Sequence, residues 1–446
     1  MGLSTYAGRP IQRRSSSVGV RQIPGLGSPG LVSPPGPSTA SQSRSTHIIR
    51  YPVVLWVGAF VSAVSIAAYY FLYLARLPQM DFRVYRMGGQ HVLDGRLYSS
   101  HITALGRHLV FTYPPVSTVL FWPFSFLSVH AGQILWDGID LVALTALIAV
   151  SLAAARSRSV IGSDLRTALI LLAPVGFLLW PLRSNLNLGQ INVVLVLMIV
   201  TDLCMGISWR GRHMPKGVLV GVAAAVKLTP LVFIPYLVLS GQWRAARNCT
   251  MTFLVATGAM FAVAPGPSWL YFTRDAFAIS RVGNTEGLSN QTLHAAIVRA
   301  HLSVPSGLVD LFAVAVLCGG IALAAVAHRR SSAMLGVLVC AATGLLVSPI
   351  SWIHHYVWIV PALVWLTVGT DRPAKGEWWA LAGALAFVVI PPFRPGGTGM
   401  IWYLRENAYV IITLAFLALV GRMLWVRSHP PVVGNAVRRP RRHLVS

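Results

Sequence analysis

Along this chain, long apolar runs alternate with short polar links. Runs at roughly 51–75, 131–155, 167–182, 190–207, 249–265, 306–327, 333–350, 354–370, 377–392 and 403–425 approach the about 17–25 residues that cross a hydrocarbon core of about 30 Å. The pattern predicts an all-α polytopic membrane protein with about ten full spans; a barrel would show short alternating segments instead. Two further apolar stretches carry internal prolines: FTYPPVSTVLFWPFSFLS (111–128), with Pro114, Pro115 and Pro123, and GVLVGVAAAVKLTPLVFIPYLVL (217–239), with Pro230. Proline and the residue before it interrupt helices, so both stretches are expected to be broken or re-entrant. Non-helical backbone at membrane depth is tolerated only against protein or a water-filled cavity, so the breaks predict a cavity.

Composition supports this class. The 446 residues are 55% hydrophobic and 11% charged, whereas soluble domains carry roughly 25% charged residues. The formal net charge is +24. Nucleic acid is one explanation of such a surplus. The basic residues, however, fall in short clusters between apolar runs: Arg156, Arg158 and Arg166; Arg210, Arg212 and Lys216; Arg244 and Arg247; Arg329 and Arg330; Arg372 and Lys375. Cytoplasmic loops concentrate Lys and Arg, so the charge reports topology and no nucleic-acid partner is expected. Residues 1–50, rich in Ser, Pro, Gly and Arg and free of acids, are expected to form a disordered basic cytoplasmic tail. The first apolar run starts too late and is too long for a cleaved signal peptide. Residues 51–425 would hold the transmembrane domain and 426–446 a second basic cytoplasmic tail, whose RRPRR fits a membrane surface with anionic lipid. The four cysteines show no C-x-x-C spacing, so neither a disulfide framework nor a zinc site is expected.

If both broken stretches enter and return, every basic cluster falls inside. The segments 76–130, RSNLNLGQ (183–190), 266–303 and 392–402, with the junction SPISWIHH (348–355), then face the non-cytoplasmic side. Asp and Glu together number 12, and the outer set is Asp81, Asp94, Asp137, Asp140, Asp275, Glu286, Asp310 and Glu406. Asp137 and Asp140, three apart, share a helix face. Asp81 sits at a membrane exit, before FRVYRMGGQHVL, where Phe82, Tyr85, Met87 and Val92 give an interfacial helix an apolar side. Phe82 and Tyr85 are expected to dock that helix on the membrane surface. Asp81 is either a helix cap or a functional acid.

Other polar groups stand out against the apolar background. Arg183, Asn185, Asn187, Gln190 and Asn192 cluster between two spans. Their amides offer donors and acceptors suited to sugar hydroxyls, or serve capping and interhelical bonds. Lys227 lies inside an apolar stretch, where a cation is costly and marks function by default; phosphate is its natural partner, and snorkelling is the alternative. His354 and His355 stand at a helix entrance, able to bind metal, phosphate or sugar. A metal site would need further ligands nearby, and none is evident, so hydrogen bonding is favoured.

Six segments carry a resemblance: Asp81-Phe82 with Tyr85, FTYPP (Phe111 to Pro115), NLGQIN (Asn187 to Asn192), KLTPLVF (Lys227 to Phe233), GNTEGLSNQTLHA (Gly283 to Ala295) and SPISWIHHYVW (Ser348 to Trp358). Together they resemble the GT-C glycosyltransferases that use polyprenol-phosphate sugars, and most of all glycosyltransferase family 87, the polyprenol-phosphate-mannose-dependent alpha-1,2-mannosyltransferases. GT-C enzymes typically carry an acidic pair in the first outer loop; here Phe82 follows Asp81, so a single acid must suffice. The resemblance implies a GT-C-like helical bundle and an inverting transfer of mannose from polyprenol-phosphate-mannose to a mannosylated glycolipid of the phosphatidylinositol mannoside or lipomannan type. It implies Asp81 as general base and Lys227, with Arg183 and Arg281, on the donor phosphate. Tyr113, Asn185, Asn187, Gln190, Asn290, Gln291, His354 and His355 would contact sugar or acceptor. Neither cofactor nor metal is implied. The protein would be multi-pass in the cell membrane, with its active site on the periplasmic side. A GT-C transferase for another polyprenol-phosphate sugar, and a non-enzymatic carrier of lipid-linked sugars, remain as alternatives.

Overall fold

The computed structural model describes residues 52–104, 106–156, 162–209, 212–301, 304–389 and 399–429. The expected N-terminal tail, most of the C-terminal tail and most of the outer link 392–402 lie outside them. The described residues are mostly helical. In chain order the helices are α1 (Pro52–Leu72), α2 (Met80–His91), α3 (Ser117–Phe121), α4 (Val129–Ala155), α5 (Gly162–Leu178), α6 (Trp180–Leu188), α7 (Asn192–Val200), α8 (Val218–Val226) and α9 (Phe233–Leu239). They continue with α10 (Trp243–Val263), α11 (Pro265–Leu270), α12 (Leu293–Arg299), α13 (Ser306–Arg330), α14 (Ala333–Val347), α15 (Ile359–Val368), α16 (Gly376–Val389), α17 (Met400–Glu406) and α18 (Ala408–Ser428). Two small antiparallel hairpins complete the set, β1 (His101–Ala104) with β2 (Arg107–Val110) and β3 (Ser208–Trp209) with β4 (Arg212–His213).

Among the described residues three helices, α4, α13 and α18, are long and apolar enough to cross a membrane, and α5 with α6 makes a fourth candidate if that pair, bent by 83°, counts as one span. Several shorter apolar helices accompany them. This makes the chain a helical membrane protein. The ends follow local chemistry: Ser128 caps α4 by accepting from the Ala131 amide, and Ser332 caps α14 by accepting from Leu335.

Both proline-bearing stretches are broken. The first is a short helix and a 3-10 turn, Trp122–Phe126. In the second, α8 ends at Lys227, whose backbone is extended (φ −148°, ψ 127°), and a 3-10 turn at Thr229–Val232 leads into α9. The segment 183–190, expected to link two spans, is largely α6. Pro181 starts this helix and Gly189 stops it, at φ +71°.

Helix α2 forms as its spacing predicts, but its apolar face meets protein rather than lipid. Phe82 and Tyr85 are 0% and 1% exposed. Phe82 packs edge-on to Phe124 at 5.6 Å, and Tyr85 stacks on Phe121 at 4.3 Å. The expected docking of these two rings on the membrane surface is therefore corrected: at about 1.5–3 kcal/mol for burying a large apolar side chain, they bind α2 to the bundle. Gly88 and Gly89 let it lie close, since a Cβ there would run into the Phe111 ring and come within 2.7 Å of the Phe121 carbonyl oxygen. The turn after α6 closes on the start of α2, where a Cβ on Gly189 would sit 2.7 Å from that of Phe82. This contact sets Gln190 beside Asp81.

Candidate active site

Asp81 occupies the first turn of α2, but Gln79 holds the cap position, with no side-chain capping bond. The capping alternative for Asp81 is thus absent. Its carboxylate instead accepts a 2.6 Å hydrogen bond from Gln190 Nε2. The surrounding protein crowds the group while one edge stays open, and this burial raises its pKa to about 6, moderated by the Gln190 bond and the Lys227 charge. Asp94 is different. Bonds from His91 and Arg96 hold its carboxyl well below the usual range, which makes it a poor proton acceptor.

From Gln190 the contacts fan out. Its Oε1 accepts from the Tyr85 hydroxyl at 2.9 Å and the Tyr113 hydroxyl at 3.2 Å, and Asn192 Nδ2 approaches at 3.4 Å. Asn192 Oδ1 accepts from Lys227 Nζ at 2.8 Å. Lys227 also donates to His355 Nε2 at 3.1 Å, which places the ring proton on Nδ1, and lies 5.3 Å from the Tyr113 ring centroid. Asn185 Nδ2 donates to the Gln190 carbonyl at 2.9 Å, and Asn185 Oδ1 accepts from Asn192 Nδ2 at 3.2 Å. Five separate elements thus meet: the start of α2, the Tyr113 loop, the α6–α7 turn, the break after α8, and the 3-10 turn Ile353–Trp358. A cavity of about 410 Å³ opens from this cluster, with Asn192, Lys227 and His355 among its walls and Leu195, Ile199, Val232, Phe233, Leu345 and Trp358 making much of the rest apolar. A roomier groove of about 520 Å³, lined by Arg83, Arg86, His91 and His101, lies along the far side of α2 and takes in none of these contacts.

Of the residues singled out in the sequence, Asp81, Tyr113, Asn185, Gln190, Asn192, Lys227 and His355 come together here. His354 is adjacent, its ring 4.9 Å from that of His355 and its buried Nε2 without a hydrogen-bond partner among the described residues. The others lie elsewhere. Arg183 stacks over Trp180 at 4.8 Å and Tyr73 at 5.7 Å, and Asn187 accepts from the Tyr69 hydroxyl at 2.8 Å, on the side of α6 that faces α1. Arg281 donates to the Tyr98 carbonyl at 2.7 Å. Asn290 and Gln291 are 0% exposed. Asn290 bonds the backbone of Thr285, Pro349 and Ser351, and Gln291 that of Leu288, Glu406 and Tyr409. Tyr85 was read as a membrane anchor and proves to be a polar member of the cluster. The signal available was its spacing, four residues after Asp81 on one helix face.

A carboxylate of raised pKa, a cation in the wall of a largely apolar cavity and a shell of amides between them are chemically suited to group transfer on a ligand that joins polar and apolar parts. The family model for glycosyltransferase family 87 matches residues 111–349. Relatives cover most of the chain. A polyprenol-phosphate-mannose-dependent alpha-(1-2)-phosphatidylinositol mannoside mannosyltransferase from Mycobacterium tuberculosis is 32% identical over 379 residues, 79% of this chain and 86% of its own. Its namesake from Mycolicibacterium smegmatis is 33% identical over 417 residues, 86% and 91% of the two chains. A polyprenol-phosphate-mannose-dependent alpha-(1-2)-phosphatidylinositol pentamannoside mannosyltransferase from Mycobacterium tuberculosis is 30% identical over 419 residues, 89% and 92%. No solved structure matches. The chain belongs to glycosyltransferase family 87 and is a glycosyltransferase.

Proposed function

We propose that this protein is an inverting alpha-1,2-mannosyltransferase that moves mannose from polyprenol-phosphate-mannose to a phosphatidylinositol mannoside on the non-cytoplasmic face of the membrane. The observation that carries this proposal is the unbroken chain Asp81–Gln190–Asn192–Lys227, whose basic end opens on an apolar cavity. The names of the relatives supply the donor and acceptor classes.

In this mechanism the polyprenyl chain occupies the apolar cavity and its phosphate lies against Lys227 and His355. The acceptor hydroxyl oxygen attacks the anomeric carbon of mannose from the face opposite the phosphate. The hydroxyl proton passes to the Asp81 carboxylate, a base whose pKa of about 6 leaves it ionised at neutral pH and able to accept a proton. The bond from the anomeric carbon to the phosphate oxygen breaks with its electron pair, and Lys227 stabilises the phosphate dianion. Gln190, Asn192 and Tyr113 hold the sugar in line between the two ends, with the buried Asn185 behind them orienting Asn192. Lipid phosphate leaves without a general acid. About ten spans with the two broken stretches re-entrant place every basic link inside and Asp81 outside.

Incubating the purified protein with labelled polyprenol-phosphate-mannose and a phosphatidylinositol mannoside tests this. Labelled mannose on the acceptor is expected. Transfer only from another polyprenol-phosphate sugar, or movement of donor across a bilayer with no product, would replace the proposal with one of its two alternatives.

A further inference from the structure

Beneath the cluster lie two acids the mechanism does not use. Asp137 and Asp140, one turn apart on α4, are both buried. No Lys, Arg or His among the described residues pairs with either. Each holds an amide instead. Gln79 Nε2 donates to both Asp137 oxygens, at 2.8 and 2.9 Å. Asn185 Nδ2 donates to Asp140 Oδ2 at 3.2 Å.

We propose that Asp137 and Asp140 are positioning residues, Asp137 for the base and Asp140 for the phosphate-binding cation; this rests on the roles given above to Asp81 and Lys227. The Asp140 arm follows from donor and acceptor bookkeeping. A carboxylate only accepts and an ammonium only donates, while an amide does one at each end. Asp140, with the Gln190 carbonyl, draws the Asn185 NH₂ toward itself and so turns Asn185 Oδ1 to Asn192. That oxygen takes the Asn192 NH₂ and leaves Asn192 Oδ1 facing Lys227. Reversing Asn192 would set its NH₂ against the ammonium, and reversing Asn185 would set its NH₂ against that of Asn192 and its oxygen against the carboxylate. The direction of the whole relay is fixed by its two ends.

The Asp137 arm acts through backbone. Gln79 stands two residues before Asp81 in the left-handed region, at φ 39° and ψ 66°, an unusual place for a residue with a side chain. The twin bonds to Asp137 hold it there. Its side-chain oxygen, Oε1, has no hydrogen-bond partner among the described residues and lies 3.2 Å from where a Cβ on Gly189 would be. Asp137 thereby fixes the entry to α2 and the height of Asp81 against the Gln190 turn.

The test compares Asp137→Ala, Asp137→Asn, Asp140→Ala and Asp140→Asn in reconstituted protein, reading kcat, donor KM, thermal unfolding and equilibrium binding of plain polyprenyl phosphate. Asp137→Ala is expected to lower kcat at least about tenfold with donor KM within about twofold. Asp140→Ala is expected to raise donor KM and weaken polyprenyl phosphate binding at least about tenfold, with a smaller loss of kcat. An Asn at either position keeps one accepting oxygen and should restore most of what Ala loses. Equal losses in both parameters for both Ala variants, no loss in either, or no recovery with Asn would overturn the proposal. Where an Ala variant does not fold, Leu at the same position fills the volume without an acceptor and carries the same expectation. If no apolar variant folds, the Asn variants must keep both parameters within about threefold of the wild type, and a larger loss overturns the proposal. Absence of mannose transfer by the wild-type protein would instead defeat the donor assignment, and lipid phosphate binding would still decide the Asp140 arm.

Discussion

Asp81→Asn separates chemistry from structure at the centre of the site. The substitution keeps the shape and one accepting oxygen for Gln190 Nε2, so α2 stays in place. Burial moves the carboxyl pKa from 3.8 to about 6, and at about 1.4 kcal/mol per pH unit the charged form costs about 3 kcal/mol at neutral pH. The open edge of Asp81 screens part of this. A neutral acceptor also gives up about 1 kcal/mol of the charge-assisted bond. The variant should therefore be as stable as the wild type or slightly more so at pH 7.5. The sign can be checked independently. A carboxyl whose folded pKa is raised binds its proton more tightly in the folded state, so wild-type stability falls as pH rises from about 4 to 6 and then levels. In the variant that contribution disappears. Turnover should fall at least about 10²-fold, the lower range for losing a positioned base. The wild-type rate should also fall on the acid side with an apparent pKa near 6, and the residual rate of the variant should lack that limb. The assays are thermal unfolding in detergent from pH 5 to 8 and initial rates of mannose transfer over the same range. A folded variant with near-normal turnover, or one that retains the acid limb, would refute Asp81 as the base.

Lys227→Met keeps the stem and removes the charge; donor affinity should fall at least about tenfold, given about 1.5–3 kcal/mol for a hydrogen bond to a charged group, with acceptor KM little changed in a two-substrate titration. Gly189→Ala forces a side chain into φ +71°, a cost of roughly 1–2 kcal/mol, and a Cβ onto Phe82; unfolding temperature and turnover should both drop, whereas Gly138→Ala, where a Cβ would meet nothing within 4 Å, should leave the unfolding temperature near that of the wild type. The proposed re-entrant course of 217–239 places both of its ends in the cytoplasm, so a cysteine at position 242, in a background without native cysteines, should resist an impermeant thiol reagent applied from outside; labelling there would contradict the topology.

Much of the scaffold was legible because period and punctuation coincide. The apolar positions 82, 85 and 87 mark α2, and Thr229-Pro230 marks the break that leaves Lys227 at the end of α8. Lys227 itself stood out because a cation in an apolar run has few other uses. The cluster was legible in part. Polar residues in RSNLNLGQ read as a link between two spans, yet α6 forms, and its two faces send Asn185 to the site and Asn187 to Tyr69. Sequence shows which amides are present but not which way a short helix turns them. Asn290 and Gln291 look equally suited to sugar, but backbone partners up to 118 residues away use their capacity. Gln79 was missed because nothing in its identity announces a left-handed backbone.

The most direct test is the structure of the product. Purified protein would be given beta-mannosyl phosphopolyprenol and a phosphatidylinositol mannoside, and the new linkage assigned by proton–carbon NMR. An alpha-1,2-linked mannose, formed by the wild type and lost with Asp81→Asn, is the predicted result. A beta-linked mannose, a different linkage position, or an unmodified acceptor beside consumed donor would contradict the proposed inverting transfer.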